Sequence, residues 1–292
     1  MRPLRVRSTM MVAGFVLITD IEGNIMVLRY DVTDHIATIT LDRPEVKNAL
    51  NRELYARLEQ AFRDAHSDPD VRCVVLTGEG SAFCSGDDVR EIMLAPYPVS
   101  ETPGGTPNVR PRDPKPRPTP AAMAVLECDK PVIAAVNGAA VGWGMDLALF
   151  CDIRIASDRA KFGELFIKRG LVSDIGGLWR LPQIVGPSKA AELLFTGDII
   201  DAGEAERIGL VSRVVPHDDL MPAAIEMARK IAANPPIAMR FMKQGLRSTT
   251  YGDPREIGAY VMQSLAYLFT TEDHREGATS FVEKREPKFK GR

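Results

Sequence analysis

Apolar and polar residues alternate along residues 26–41, where Ala37, Ile39 and Leu41 interleave with Thr38 and Thr40. A period of two marks a half-buried strand, and Thr33-Asp34 supply a turn, so the segment predicts a β-hairpin. After Arg43-Pro44 the period lengthens. Leu54, Leu58, Ala61 and Phe62 recur at three- and four-residue spacing, which predicts a helix over 51–66. Short apolar runs follow in VRCVVLTG (71–78), PVIAAVNG (131–138) and DIRIAS (152–157). They read as buried strands, with a short helix between the last two. Strand–loop–helix units of this kind predict an α/β fold. From about Asp218 the character turns helical, through PAAIEMARKIAAN, IAMRFMKQGLRS and 255–269, before a basic end, FVEKREPKFKGR.

Two segments stand outside this pattern. Residues 95–120 hold nine prolines and adjacent glycines, so neither helix nor ladder persists there. The segment reads as a solvated surface loop or as a mobile cover over a site. Near the start, Arg2, Arg5 and Arg7 precede MMVAGFVLI (10–18), which has the look of a short signal peptide. That run is too short to span a bilayer, and no small-x-small site follows before Thr19-Asp20. Residues 1–25 are therefore expected to be an N-terminal extension, 26–217 the α/β core and 218–292 a helical region.

At 292 residues, 45% hydrophobic and 26% charged, the chain has the make-up of an ordinary globular protein able to bury a large core. A net charge of −2 supplies no basic field, which argues against nucleic acid as a main partner. No membrane partner is expected either. Cys73, Cys84, Cys128 and Cys151 are scattered without a CxxC pair, which suits reduced thiols and a cytoplasmic location. The four histidines, His35, His66, His217 and His274, lack metal-ligand spacing, so no metal is expected.

Glycines carry the candidate chemistry. A dinucleotide fingerprint fails, because from Gly142 its third position is Leu147 and from Gly78 it is Phe83. GxxxxGK[ST] and GxSxG are both missing from the sequence. Two glycine-bearing loops remain, GEGSAFCSGDD (78–88) and NGAAVGWGMD (137–146), each after an apolar strand. Each can present a free backbone N–H near a helix start. Two such donors on one point form an oxyanion hole for charge developing on a carbonyl oxygen.

RPEVKNALN (43–51), LTGEGSAFCSGDDVREI (76–92) and KPVIAAVNGAAVGWGMDLALFCDIRIASDRAKFG (130–163) resemble, in order, signature segments of the crotonase superfamily, the enoyl-CoA hydratase/isomerase family. LPQIVGPSKAAELLFTGDIIDAGEAERIGLVSRVVP (181–216) and the C-terminal segment continue the resemblance, which covers roughly 26–292. It implies a spiral of β-β-α units and a C-terminal helical region that builds trimers, often paired into hexamers. It also implies an acyl-CoA thioester substrate, with coenzyme A entering as part of it and no separate cofactor. By position, the oxyanion amides are expected at Asp87 and Trp143, the latter after Gly142. Asp87, Asp88, Val89 and Arg90 are expected along the CoA moiety. Phe281 and Lys284 of a neighbouring subunit are expected at its nucleotide end, although by itself Lys284 reads as a solvated tail charge.

The sequence also departs from the family. A hydratase of this kind uses two glutamates, one activating water and one exchanging a proton at the α carbon. Here the first position holds Asp146, one methylene shorter, and the second holds Phe166, which transfers no proton. Asp174 matches a position where dienoyl-CoA isomerases carry a catalytic aspartate, and they carry one at the Asp146 position too. Glu164 stands two residues before Phe166, so in an extended segment both would face one side, and it joins Asp174 as a candidate catalytic acid in place of Phe166. Each acid also has a plain structural reading. Asp146 could cap the helix DLALF, Asp174 could cap the turn at Ile175-Gly176-Gly177, and Glu164 could be exposed or paired with Lys168. The expected function is hydration or isomerisation of an enoyl-CoA through a thioester enolate. The alternatives are an acyl-CoA hydrolase or C–C lyase, and a non-catalytic acyl-CoA-binding oligomer.

Overall fold

A computed structural model describes residues 8–12, 15–19, 26–94, 119–248 and 253–292. The proline-rich stretch therefore lies outside the described residues, apart from Thr119 and Pro120. Strands β1 (Ser8–Val12) and β2 (Phe15–Thr19) pair antiparallel as a sheet of their own. Residues 1–25 thus include a hairpin that the sequence reading treated only as an extension.

The predicted hairpin is β3 (Leu28–Thr33) and β4 (Ile36–Leu41), and the predicted helix is α1 (Arg52–Ser67). Asn51 caps α1 by accepting the Leu54 N–H, and Leu54, Leu58, Ala61, Phe62 and Ala65 form its buried face. Thereafter the chain alternates between two sheets. β5 (Cys73–Gly78) enters the first and β6 (Ala82–Cys84) the second; after α2 (Pro120–Glu127), β7 (Val132–Val136) and β8 (Ala139–Val141) repeat the step. After α3 (Trp143–Phe150), β9 (Ile153–Ser157) and β10 (Lys161–Gly163) repeat it again. This is a spiral of β-β-α units, each turn giving one strand to each sheet.

Beyond β10 lie α4 (Leu181–Val185), α5 (Pro187–Thr196), β11 (Ile200–Asp201), α6 (Ala202–Arg207) and β12 (Arg213–Val215). The first sheet runs β12-β9-β7-β5-β4-β3, parallel except for β3, and the second runs β11-β10-β8-β6. The sequence reading missed β6, β8, β10 and β11 because two or three residues are too few to show a period. Asn137 ties successive turns together, its amide donating to Gly80 O at 2.9 Å and Ala82 O at 3.2 Å.

The first sheet is covered on both faces, so β5 and β7 are buried throughout. α7 (Leu220–Ala232) lays Leu220, Ala224, Ala228 and Ala232 against Cys73, Val75, Ile133 and Ile155. The opposite face joins α1, α2 and α3 in the main core. α8 (Pro236–Ser248), α9 (Pro254–Leu268) and α10 (Glu272–Glu283) complete the helical end. All four cysteines are buried and free. No helix among the described residues is long and apolar enough to cross a membrane.

Candidate active site

α3 is the centre of the site. All eight of its residues are buried, so a carboxylate on it must meet a partner inside the protein. Trp143 opens the helix, where first-turn N–H groups have no intrahelical acceptor. Gly142 N–H is taken by Gly163 O at 2.8 Å, and the Met145 and Asp146 N–H groups return to Gly142 O. The Trp143 N–H donates to nothing in that network.

A second free amide comes from the β6 loop. Leu50 N–H donates to Gly86 O at 2.8 Å and Asp88 N–H to Leu50 O at 2.9 Å, so this bridge straddles Asp87 and leaves its N–H unused. Gly86, at φ 86°, presses this loop against the start of α3. A Cβ there would lie 2.9 Å from Val141 O and 3.3 Å from Trp143 N. The two expected amides are thereby brought together.

Four acids surround them. Asp146 is fully buried; its Oδ1 accepts the Gly177 N–H at 2.6 Å and its Oδ2 has no partner. Glu164, 1% exposed, accepts the Ser173 hydroxyl at 3.0 Å on Oε2, while its Oε1 has no partner. Asp174 accepts the Trp143 indole N–H at 3.0 Å and the Ile175 N–H at 2.7 Å. Asp87 accepts the Tyr55 hydroxyl at 2.5 Å. The ring of Trp143 is held edge-on by Tyr55 and Phe150, at centroid distances of 4.9 and 5.9 Å.

Burial dominates the electrostatics. It pushes Asp146 well above the usual carboxylate range, the Glu164 and Asp174 carboxyls add to the effect, and the backbone N–H groups of Gly177 and Asp174 oppose it. Burial likewise lifts Glu164 to about 7, against the Ser173 hydroxyl and with Asp174 adding. Asp87 is raised by burial and by Asp174, against the Tyr55 hydroxyl. Such a set offers a carboxylic acid and a carboxylate side by side near neutral pH.

The structure corrects several expectations about these residues. Asp146 does not cap α3, since it lies inside the first turn and spends its bond on Gly177. Glu164 is neither exposed nor paired with Lys168. It does not lead into an extended segment, because Leu165–Arg169 is a 3-10 turn in which Phe166 is buried. Asp174 bonds only the next N–H and the indole, which is not an N-cap. Two residues were missed. Tyr55 sits beside Leu54 and Leu58 on the buried face of α1, and Ser173 directly precedes Asp174; an aromatic hydroxyl on an apolar stripe was the available signal for the first.

Elsewhere the expected CoA residues are simply placed. Asp88 caps Val89–Met93 and pairs with Arg43 at 3.3 Å, while Val89 and Arg90 are exposed. Phe281 is 85% exposed near the end of α10, and Lys284, also exposed, caps that helix with left-handed backbone. Neither is brought to the acids within this chain. Two cavities of about 350 and 310 Å³ lie away from the site, so chemistry rather than volume locates it.

A β-β-α spiral whose two glycine-bearing loops meet at a helix carrying a buried acid is the architecture of the crotonase class. The sequence model of the enoyl-CoA hydratase/isomerase family matches residues 31–292. The Bacillus subtilis protein YngF, named for that family, is 38% identical, over 88% of this chain and 95% of its own. The short-chain-enoyl-CoA hydratase of Clostridium acetobutylicum is 37% identical, over 86% of this chain and 92% of its own. A crystal structure of an enoyl-CoA hydratase subunit from Geobacillus kaustophilus matches with TM-score 0.81 and 33% identity, covering 91% of this chain and 99% of that one. The chain belongs to the enoyl-CoA hydratase/isomerase family and is an enzyme of acyl-CoA substrates.

Proposed function

We propose that the site forms the enolate of an enoyl-CoA thioester and hydrates or isomerises its double bond. The observation that carries this reading is the buried, unpartnered Asp146 Oδ2 beside the free N–H groups of Asp87 and Trp143. The amides hold the thioester oxygen as it gains negative charge, each donor contributing on the order of 3 kcal/mol to the transition state. Asp146 exchanges the proton at the substrate carbons. Glu164 and Asp174 take the second proton-transfer role that Phe166 leaves open. Arg90, Val89 and Asp88 flank the CoA moiety. Phe281 and Lys284 reach it from a neighbouring copy, which the exposed apolar residues Met262, Tyr267 and Phe269 of the helical end support.

Incubation with a trans-2-enoyl-CoA in heavy water, followed by mass spectrometry, tests this. Addition of one water marks a hydratase, and deuterium exchange without addition marks an isomerase. If neither is seen over a range of enoyl groups, the proposal is overturned. Asp146→Asn is expected to lower turnover at least a thousandfold with thioester affinity nearly kept; undiminished turnover removes Asp146 from the mechanism.

A further inference from the structure

Among the described residues the four acids have no basic counterpart. The charged groups that act on Asp146 are Glu164 and Asp174, and those on Asp87 and Glu164 are again acids of the same set. Bases on the surrounding elements are engaged elsewhere. Arg43 pairs with Asp88, and Arg57 lies 3.9 Å from Glu53. Arg169 bonds Leu165 O, and Arg180 bonds Gln183 and faces Trp179. Arg52, Arg90 and Lys168 are exposed. The acids do not form a cation site either, since no metal-holding group of three or more His, Cys, Asp or Glu occurs among the described residues. Two of their oxygens, Asp146 Oδ2 and Glu164 Oε1, are buried without any partner and remain for a ligand to meet.

Resting on the proposed enoyl-CoA reading, we infer that this site selects acyl groups that carry no charge and rejects those bearing a second carboxylate. With the thioester oxygen on the Asp87 and Trp143 amides, the next few acyl carbons run toward Asp146, three residues along α3. A carboxylate at the far end of a five-carbon acyl group would come within several ångströms of acids that already lack a counter-charge. It would either add like-charge repulsion or take up a proton at the cost of its own ionisation. At about 5 Å, with an effective dielectric of about 20, that repulsion corresponds to a discrimination on the order of a hundredfold. An uncharged group of the same shape escapes it, because the unpartnered oxygens can share a proton or a water.

The test compares acyl groups that differ only in a terminal methyl or carboxylate. Binding of pentanoyl-CoA and glutaryl-CoA to the full chain, measured by calorimetry, reads the preference without any turnover. Pentanoyl-CoA is expected to bind on the order of a hundredfold more tightly. Affinities within fivefold of each other, or no binding of either, overturn the inference. In Asp174→Asn the ratio should narrow at least fivefold, because one carboxyl of the set is gone; an unchanged ratio also overturns it. Proton exchange with trans-2-pentenoyl-CoA in heavy water is run alongside. Its failure with the binding preference intact defeats the enoyl-CoA chemistry and leaves the charge selection standing.

Discussion

Glu164→Gln isolates the energetic consequence of burying an acid beside its neighbours in this site. Glutamine keeps the shape of the side chain and an oxygen for the Ser173 hydroxyl, which the glutamate accepts at 3.0 Å. What it removes is a carboxyl whose pKa burial has raised from 4.5 to about 7. The folded protein therefore holds a proton on Glu164 across a range where the unfolded chain has already released it. Relative to a side chain that does not titrate, stability falls as pH rises above 4.5, and the loss is complete above about 7. Each tenfold in proton affinity is worth about 1.4 kcal/mol, so keeping Glu164 ionised at pH 8 costs roughly 3 kcal/mol. Most of that develops between about pH 5 and pH 8. The variant should accordingly gain roughly 2–3 kcal/mol over the parent between those two conditions, or about 3–5 °C in Tm for a chain of this size. Thermal unfolding of both proteins, at equal concentration and both pH values, reads the difference directly. A variant advantage that is equal at the two pH values, or greater at the acidic one, refutes the reasoning, since the charge would then not be what strains the site.

Gly177→Ala would put a Cβ 2.1 Å from Ser173 Oγ and 3.0 Å from the Glu164 carboxyl carbon. It should destabilise by about 1–3 kcal/mol and lower turnover, read by thermal unfolding and initial rates; a neutral variant would mean that this loop does not bear on the acids. Tyr55→Phe removes the hydroxyl donated to Asp87 at 2.5 Å. It leaves a half-buried oxygen unpaired, at a cost of about 1 kcal/mol, and turnover should fall about tenfold if Asp87 positions the oxyanion donor. Unchanged stability and rate would show that the Tyr55–Asp87 bond does not organise that loop.

Much of this protein is legible in the chain alone. Period-two alternation around Ala37–Leu41 and the three- and four-residue spacing of Leu54, Leu58 and Phe62 specify β4 and α1, because side-chain direction repeats with the local backbone geometry. The ordered glycine loops specify the family, since an exposed backbone N–H near a ligand demands small residues at set offsets. The short strands β6, β8, β10 and β11 were not legible; they exist because each turn of the spiral pairs with turns distant in sequence. The same holds for the acids. Sequence names Asp146, Asp174 and Glu164 as catalytic candidates through the family resemblance, and taken alone leaves them equally readable as a helix cap, a second cap and an exposed charge. Only the packing of residues 173–177 over α3 buries the first two, leaves one oxygen of each without a partner, and joins Asp174 to the Trp143 indole. Burial and like-charge proximity are properties of three-dimensional neighbours, and a proton affinity shifted by them is decided only when the fold closes.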